Sequence, residues 1–395
     1  MEHTCHDRGM ASIPPSTITT PTVLSAQSQV CGGHVGNGAA VFALQRNGVE
    51  VISFPTAVLS NHNGYPNAGS IPVKAQDLRA VLRSLGHNGF LERCDAVLSG
   101  YLTGTSGPIV VDAVQQIRAR GGAGHYLCDP VMGDDGRCYV SDGVVQMMRK
   151  LVVPAADIIT PNLFELAMLT DHPGFATCPG PTSRPGDTAA TGTRRDNNPM
   201  PTCAEVVAAA RSLMGSARDD AEHHAGTWHV ASHMTDQNPF RPRASGATVA
   251  GPRAVVVTSV RATDLPEDQI HVMTVTPNSA WVCSTPTLSR HFSGSGDLFA
   301  ALLLAGLLHG QQKNSNARLS EAVARATQQT WLVLSATASD ASESEEPGEL
   351  ALSGPAHRSG GRCDTSSRPV TTTCFTDEPA APRGEAMHRR PVGIP

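Results

Sequence analysis

The sequence predicts an α/β protein whose central sheet is mostly parallel and covered by helices on both faces. Short apolar strands alternate with amphipathic helices along most of the chain, which is the order expected of a parallel sheet. Polar residues also cluster directly after four of the predicted strands, and such sheets bind ligands beyond the carboxyl ends of their strands. The pattern therefore predicts a fold class and also the edge at which a site should lie.

The individual elements are predicted from runs of apolar residues and from their spacing. Strands are expected at residues 23–25, 49–54, 95–101, 125–128, 157–159, 254–258, 270–275 and 281–283. Helices are expected at residues 39–44, 77–85, 109–117, 206–214 and 319–334. The helix at 77–85 illustrates the reasoning, because its apolar residues recur at helical spacing: they are Leu78, Val81, Leu82 and Leu85.

One folded domain, residues 22–335, is expected between two disordered ends. Residues 1–21 are rich in Thr, Ser, Pro and His, and residues 336–395 are rich in Ser, Glu, Pro, Gly and Arg. Neither end has the apolar content that a packed core requires, so we expect a disordered N-terminal segment and a disordered C-terminal tail.

Two low-complexity insertions are expected inside this domain, at about residues 172–201 and 216–252. Both are rich in residues that interrupt helices and strands, so we expect them on the surface. Between them, Thr202 and Glu205 form the capping-box pattern that opens a helix. We therefore expect a genuine core helix flanked by the two insertions.

Composition and charge limit the classes of partner. The formal net charge is −5, which gives no electrostatic reason to expect nucleic acid or an anionic membrane as a partner. No apolar run approaches the ~20 residues of a membrane span, and residues 1–20 lack the apolar stretch of a secretory signal. The ten cysteines include no Cys-x-x-Cys pair, so we expect free thiols and a cytoplasmic location.

The most informative stretch is a turn of small residues that leads into an apolar helix. Gly294-Ser295-Gly296-Asp297 is followed directly by Leu298 and further apolar residues. Backbone N–H groups at a helix N-terminus bind anions such as phosphate, and a carboxylate beside the anion can accept a proton from an alcohol. The pattern indicates phosphoryl transfer to a small alcohol, although a glycine turn with an acidic helix cap has the same local sequence.

Oxygen-bearing side chains follow two neighbouring strands. Asp129 follows one predicted strand, and Asn162 and Glu165 follow the next. Together they offer hard ligands that suit Mg²⁺, which keeps several waters and takes few protein oxygens. Structural explanations stay open, because Asp129 could stabilise a turn before proline, and Pro161 with Glu165 could simply begin a helix.

A polar run after the second strand suits a polar aromatic ligand. Between Ser60 and Tyr65 the chain holds His62 and two asparagines, one of them Asn63. This mixture of amide, imidazole and phenol groups offers several hydrogen-bonding partners close together. An ordinary solvated loop that contains a histidine is the alternative.

The chain resembles the ribokinase superfamily of small-molecule kinases, and within it the pyridoxal kinases. The Gly-Ser-Gly-Asp turn marks the superfamily, whereas runs at 60–62, 99–101 and 27–28 are similar to pyridoxal kinases in particular. Further matching stretches lie at 23–28, 36–37, 128–134, 156–162 with Glu165, and 257–259. Over residues 22–335, outside the insertions, the resemblance implies a ribokinase-like three-layer α/β/α sandwich with a mostly parallel central sheet, and a homodimer.

The resemblance also implies a role for each candidate residue. Asp297 resembles the base that deprotonates the 5′-hydroxymethyl group of pyridoxal, and Gly294, Ser295 and Gly296 resemble the anion hole for the transferred phosphoryl group. The other implied contacts are ATP and Mg²⁺ at Asp129, Asn162 and Glu165; K⁺ or Na⁺ at Asp134 and Thr160; nucleotide phosphates at Thr258 and Ser259; and the vitamin at Ser28, His62, Asn63 and Tyr101. At Asn63 the family usually has threonine, which puts the vitamer preference in question.

The resemblance implies ATP-dependent phosphorylation of pyridoxal, and also of pyridoxine and pyridoxamine. The sequence has no Gly-x-x-x-x-Gly-Lys-Ser/Thr motif, which argues against a P-loop kinase. Two alternatives stay open, namely a hydroxymethylpyrimidine kinase and a non-catalytic homologue that binds a vitamin or a nucleotide. The run at 60–62 and Tyr101 favour the pyridoxal activity over the first alternative, and Asp297 argues against the second.

Overall fold

The computed structural model describes residues 20–62, 64–134, 137–170, 200–214, 251–312, 319–340, 350 and 371–375. The strands in these ranges are β1 (Thr22–Val30), β2 (Glu50–Leu59), β3 (Ser70–Ile71), β4 (Ala96–Ser99), β5 (His125–Cys128), β6 (Gly133–Asp134), β7 (Arg137–Cys138), β8 (Ile158–Ile159), β9 (Ala254–Val260), β10 (Gln269–Val275), β11 (Ala280–Pro286) and β12 (Thr371–Phe375).

The helices alternate with these strands along the chain. They are α1 (Asn37–Arg46), α2 (Ala75–His87), α3 (Ser106–Ala119), α4 (Asp142–Met147), α5 (Val153–Ala155), α6 (Leu163–Thr170), α7 (Cys203–Ser212), α8 (Ser295–Gln312) and α9 (Leu319–Asp340). A 3₁₀ turn spans Leu91–Arg93, and a π-helical turn, Met148–Val152, joins α4 to α5. Among the helices in the described ranges, none combines the length and the apolar character needed to cross a membrane.

The central sheet contains ten strands in the order β12-β11-β10-β9-β8-β5-β4-β1-β2-β3. β1 pairs in parallel with β2 and β4, and parallel pairing continues through β5 and β8 to β9. The other four strands, β3, β10, β11 and β12, join the sheet by antiparallel pairing, and β6 and β7 form a separate hairpin. The predicted α/β class with a mostly parallel sheet is confirmed.

Successive residues of the central strands belong to two different hydrophobic cores. In β1, Val23 packs into one core and Leu24 into the other, and both are fully buried, because side chains alternate across a strand. One core includes residues of α2, α3, α6 and α7, and the other includes residues of α1, α8 and α9. Fully burying one such side chain stabilises the fold by roughly 1.5–3 kcal/mol. The helices therefore form one layer on each face, as the three-layer prediction requires.

The parallel strands bring the polar candidate residues to one edge of the sheet. Ser28 lies near the end of β1, Tyr101 and Asp129 follow β4 and β5, Thr160 follows β8, and Ser259 is near the end of β9. Parallel strands have all their carboxyl ends on the same side. The edge predicted from the sequence is therefore the edge at which these residues meet.

Several elements are longer than predicted. The strand expected at 23–25 extends to Val30, because its polar residues Gln27 and Ser28 are buried and pair with β2 instead of ending the strand. The short strands β3, β6 and β7 were not predicted, since two residues carry too little pattern to be recognised. The helix between the insertions does begin with a capping box, formed by Thr202 and Glu205.

The expected C-terminal boundary is wrong in two places. α9 continues to Asp340, beyond the expected helix end at 334 and the expected domain end at 335, and Thr371–Phe375 forms β12 beside β11. β-branched and aromatic side chains favour a strand, and pairing satisfies backbone groups that β11 would otherwise expose at the edge. The rest of the tail, residues 1–19 and the bulk of both insertions lie outside the described residues.

We expect β12 to contribute to stability. Ending the chain after Phe375 should leave the melting temperature unchanged, whereas ending it before Thr371 should lower the free energy of unfolding by roughly 2 kcal/mol, since backbone hydrogen bonds contribute about 1 kcal/mol each. Thermal unfolding of the two truncations and the full chain tests this. Equal melting temperatures for both truncations would show that β12 does not stabilise the sheet.

Candidate active site

The turn before α8 is built from backbone atoms packed in close contact. Gly294 has φ +83°, and a Cβ at this position would lie 2.1 Å from the carbonyl oxygen of His34, so only glycine fits. The Ser295 hydroxyl donates to the carbonyl of Phe292 at 3.2 Å, and Leu298 N donates to the carbonyl of Gly294 at 3.0 Å. These bonds fix the turn so that the first backbone N–H groups of α8 point out of its N-terminus.

The carboxylate of Asp297 is bound by the start of another helix. Its Oδ2 accepts a hydrogen bond from the backbone N–H of Gly36, at 2.8 Å, and Gly36 immediately precedes α1. The residue is half-buried. Loss of hydration raises the pKa of Asp297 to about 6, whereas the hydrogen bond from Gly36 acts to lower it. Asp297 is therefore an oriented carboxylate that is mostly ionised at neutral pH yet more basic than usual.

Asp129 lies beside the same turn. A Cβ on Gly296 would be 3.5 Å from Oδ2 of Asp129, while Oδ1 of Asp129 accepts a hydrogen bond from the Thr160 hydroxyl at 3.1 Å. Burial, followed by the charges of Glu165 and Asp297, raises the pKa of Asp129 well above its usual range. The sequence placed Asp129 and Asp297 on separate elements, and the fold brings their charges together.

Asn162 and Glu165 begin α6 and also hold the β6 hairpin. The Asn162 side-chain oxygen accepts from Glu165 N at 2.8 Å, and Oε2 of Glu165 accepts from Asn162 N at 2.9 Å, which is a capping box. Oε1 of Glu165 also accepts from Met132 N at 2.9 Å and from Gly133 N at 3.5 Å. The structural explanation left open by the sequence, helix initiation, is therefore correct for this pair.

The same glutamate is strongly perturbed. Burial raises the pKa of Glu165 to about 8 despite its backbone donors, and the charge of Asp134 in β6 adds to the increase. Among the described residues, no group of three or more His, Cys, Asp or Glu side chains is arranged as a metal cage. Mg²⁺, however, uses few protein oxygens, and a cation would relieve the repulsion between Asp129 and Glu165. The site therefore fits a sparsely liganded, hard divalent cation.

The residues expected at the nucleotide phosphates, Thr258 and Ser259, lie beside the start of α6. Thr258 forms an isolated parallel bridge with Asn162, and its N–H donates to the carbonyl of Pro161 at 2.9 Å. Ser259 is exposed and has φ +52°, the left-handed region that non-glycine residues rarely adopt. It lies where the pairing of β9 with β10 shifts register. Strained backbone of this kind is often found at functional sites.

Three of the four residues expected at the vitamin, namely Ser28, His62 and Tyr101, belong to the described part of the chain. Ser28 is buried and packs against Gly36, and the Tyr101 carbonyl accepts a hydrogen bond from the Thr56 hydroxyl at 2.8 Å. His62 is buried, its Nδ1 accepts from Gly64 N at 3.0 Å, and its ring lies 4.9 Å from that of Tyr65. Asn63 lies outside the described residues.

A cavity of about 410 Å³ opens beside the loop that carries His62. It is lined by Gly32, Gly33, Ser60, Asn61, Tyr65, Pro66 and Asn67. Small-molecule sites are typically concave and begin at a few hundred Å³, with a few polar groups to orient the ligand. The cavity is large enough for a small molecule, but its lining includes none of Ser28, His62, Tyr101 and Asp297.

Two functional candidates were missed at the sequence level. Gly36 and Asn37 contributed to the family resemblance but received no role, although Gly36 binds Asp297 directly. The hydrogen bond joins residues 261 positions apart, so no local pattern could reveal it. A glycine in the segment between a strand and a helix was the available signal, because such residues often permit a close approach of two backbones.

Comparisons with known proteins agree with this geometry. Residues 31–177 match the family model described as phosphomethylpyrimidine kinase. Pyridoxal kinase PdxY of Rubrobacter xylanophilus is 35% identical over 318 residues, which cover 80% of this chain and 87% of that protein. PdxY of Corynebacterium diphtheriae is 36% identical over 282 residues, 71% of this chain and 78% of that protein.

Solved structures show the same relationship. The pyridoxal kinase of Leishmania donovani in complex with ADP and pyridoxine superposes with a TM-score of 0.64 at 25% sequence identity. The match covers 89% of this chain and 98% of the other. The expected ribokinase-like three-layer fold is therefore confirmed.

Gly294 offers a direct test of the close backbone contact. We expect Gly294→Ala to lower the free energy of unfolding by about 2–5 kcal/mol, because it adds both a steric clash and an unfavourable φ. Gly104→Ala is the matched control, since a Cβ there would meet nothing within 4 Å, and it should change stability by less than about 0.5 kcal/mol. Chemical denaturation measures the free energy of unfolding of both variants. Equal losses in the two variants would show that the contact with His34 does not restrict the residue at position 294.

Proposed function

The chain belongs to the pyridoxal kinase family, and we propose that it transfers the γ-phosphoryl group of ATP to the 5′-hydroxymethyl oxygen of pyridoxal, giving pyridoxal 5′-phosphate and ADP. Pyridoxine and pyridoxamine carry the same hydroxymethyl group and are proposed as further substrates. The observation that carries this proposal is the Asp297 carboxylate at the N-terminus of α8, held by the N–H of Gly36. It stands beside backbone amides suited to a phosphoryl group.

We assign to Asp297 the role of general base. Because Gly36 donates to Oδ2, we assign Oδ1 to the hydroxyl group of the substrate. The pKa of about 6 suits a base that must be ionised near neutral pH and still accept a proton. In this proposal the backbone N–H groups of Gly294, Ser295 and Gly296 stabilise the charge that develops on the transferred phosphoryl group.

The phosphoryl donor is a nucleotide, and we propose that its phosphates contact Asn162, Thr258 and Ser259. The bridge between Asn162 and Thr258, together with the exposed backbone at Ser259, supports this assignment. Phosphoryl transfer depends mainly on positioning and on charge neutralisation. A nucleotide held here would place its terminal phosphate toward Asp129 and the turn before α8.

We propose that Asp129 and Glu165 hold a divalent cation such as Mg²⁺, directly or through water. Burial and, after it, neighbouring carboxylates raise the pKa values of both groups, and a bound cation would favour their ionised forms. When bound, the cation neutralises charge on the nucleotide phosphates. A monovalent cation, K⁺ or Na⁺, is proposed at Asp134 and Thr160, both of which lie close to the same carboxylates in the fold.

The substrate is proposed to bind between Ser28, His62, Asn63 and Tyr101. Support comes from the position of Ser28 against Gly36, which itself contacts the proposed base. A pyridine ring with polar substituents would find both an aromatic neighbour and hydrogen-bonding groups there. Binding in this place would direct the hydroxymethyl group toward Asp297.

Hydroxymethylpyrimidine kinase is the second candidate function. The family model that matches residues 31–177 carries a phosphomethylpyrimidine kinase description, and the chemistry at Asp297 would serve either alcohol. The full-length relatives named pyridoxal kinase favour the first function. Comparing the turnover of pyridoxal with that of hydroxymethylpyrimidine decides between the two. The third alternative, a non-catalytic homologue, would turn over neither alcohol.

We also propose that the enzyme is a cytoplasmic homodimer. The six cysteines whose side chains are described are free thiols, which suits a reducing compartment, and the dimer is what the family resemblance implies. Light scattering coupled to size-exclusion chromatography should give twice the chain mass. A monomer across the micromolar range would contradict the dimer.

Asp297→Asn should abolish turnover while nucleotide binding is kept. The amide can still accept the Gly36 hydrogen bond but cannot take a proton, so we expect kcat to fall about 10²- to 10⁴-fold. Absorbance-monitored formation of pyridoxal 5′-phosphate from pyridoxal, ATP and Mg²⁺ gives the rate, and calorimetric titration with ATP gives the affinity.

Asp112→Asn is the matched control. Asp112 is exposed on α3 and contacts Gln116 on the same helix, so this variant should keep the wild-type rate. Substantial turnover by Asp297→Asn would refute the assignment of Asp297 as the base.

A further inference from the structure

A buried polar network lies at the start of α1, where the proposed chemistry does not require one. Ser25, Gln27 and Asn37 are 0%, 1% and 2% exposed, respectively. Buried polar side chains are costly unless their hydrogen bonds are satisfied. Their presence between two hydrophobic cores therefore calls for an explanation beyond packing.

Asn37 is the centre of this network. Its Oδ1 accepts from the Ser25 hydroxyl at 2.8 Å, and its Nδ2 lies 3.2 Å from the hydroxyl of Ser53 in β2 and 3.4 Å from the carbonyl of Gln27. The side-chain amide of Gln27 donates to Ser25 at 3.2 Å. One asparagine thus joins the first residue of α1 to the two strands beneath it.

The residue before Asn37 is the one that contacts the proposed base. Gly36 is the N-cap of α1, has φ +54° and provides no side-chain cap. A Cβ at Gly36 would lie 2.3 Å from the carbonyl oxygen of Ser28, so the position admits only glycine. The direction of its N–H therefore depends on how the neighbouring residues hold the chain.

We propose that Asn37 is a positioning residue of the kinase reaction, which fixes the start of α1 so that the Gly36 N–H stays directed at Oδ2 of Asp297. This inference rests on the proposed function, because it gives Asn37 a role through the base and not through the substrate. The contacts to β1 and β2 hold Asn37, the residue that follows Gly36. The Gly36 carbonyl still accepts from the N–H groups of Ala39 and Ala40 without them, so removing the Asn37 contacts loosens the start of α1 while the helix itself is kept.

The test compares three variants of the full-length enzyme. Asn37→Ala removes all three contacts of the Asn37 side chain, and Ser25→Ala removes the bond to Oδ1 of Asn37 together with the bond from Gln27. Asn47→Ala is the matched control, because Asn47 caps the other end of α1 through its own side-chain amide, which donates to the carbonyl of Ala43 at 2.8 Å. It removes the same type of side chain from the same helix, away from Asp297.

Steady-state kinetics provide the first measurement. Misplacing a catalytic group by about 1 Å can cost roughly 10²-fold in rate, so we expect Asn37→Ala to lower kcat about 10- to 100-fold while both KM values change less than about threefold. Ser25→Ala should lower kcat in the same direction but less, and Asn47→Ala should keep the wild-type kcat.

The Gly36 amide provides a second measurement that does not depend on activity. Labelling valine carbonyl carbons and glycine nitrogens selects Val–Gly steps, and the sequence has two, Val35–Gly36 and Val392–Gly393. An N–H bound to a carboxylate has a strong, charge-assisted hydrogen bond, so its proton resonates downfield. We expect Asn37→Ala and Asp297→Asn to move the Gly36 proton upfield, and Asn47→Ala to leave it in place.

The outcomes separate this inference from the proposed function. An unchanged kcat and an unchanged Gly36 resonance in Asn37→Ala would overturn it and leave Asn37 as a structural residue. If Asn37→Ala does not fold, the same comparison is made with Ser25→Ala, and an unchanged Gly36 resonance there would overturn it equally. A wild-type enzyme that does not phosphorylate pyridoxal would refute the proposed function, whereas the resonance would still report whether Asn37 directs the Gly36 N–H.

Discussion

The site depends on one close contact between two backbone segments, loop 31–36 and the turn before α8. The Gly294 backbone packs on the carbonyl of His34, and the Gly36 N–H binds Asp297. Both contacts require glycine, because a Cβ at either position would lie within 2.3 Å of a carbonyl oxygen. The base and the helix N-terminus that suits an anion are therefore positioned mainly by main chain, which moves less readily than long side chains.

A second constraint is the concentration of negative charge that this contact creates. Asp297 follows Gly296 in the chain and Asp129 lies beside Gly296, while the carboxylates of Asp129 and Glu165 are both buried. Burial raises the pKa of each of the three groups, and the charges of Glu165 and Asp297 add to the increase at Asp129. Under the proposed function, bound cations would offset this concentration of negative charge, and perturbed carboxyl groups of this kind are common at functional sites.

The features that could be predicted from the sequence are those that depend on neighbouring residues. Apolar runs gave the strands, and the turn at 294–297 identified Asp297, because both signals lie within a few residues. The contact of Gly36 with Asp297 and that of Glu165 with Met132 join distant positions, so they follow only from the topology of the sheet. β12 was missed for the same reason, since a five-residue strand surrounded by polar sequence becomes recognisable only through its partner β11.

The helix between the two predicted insertions is fixed at its start. The backbone N–H of Cys203, the first residue of α7, donates to the Asp264 carboxylate at 2.9 Å, and Thr263 N donates to the carbonyl of Pro201 at 2.9 Å. Both bonds attach α7 to the segment that follows β9, and its apolar face packs into the core. The chain therefore enters α7 from an anchored point, next to the segment that follows Thr258 and Ser259 in β9. Loop-closure entropy grows only slowly with length, so the length of the segment before α7 should have little effect on the stability of this anchor.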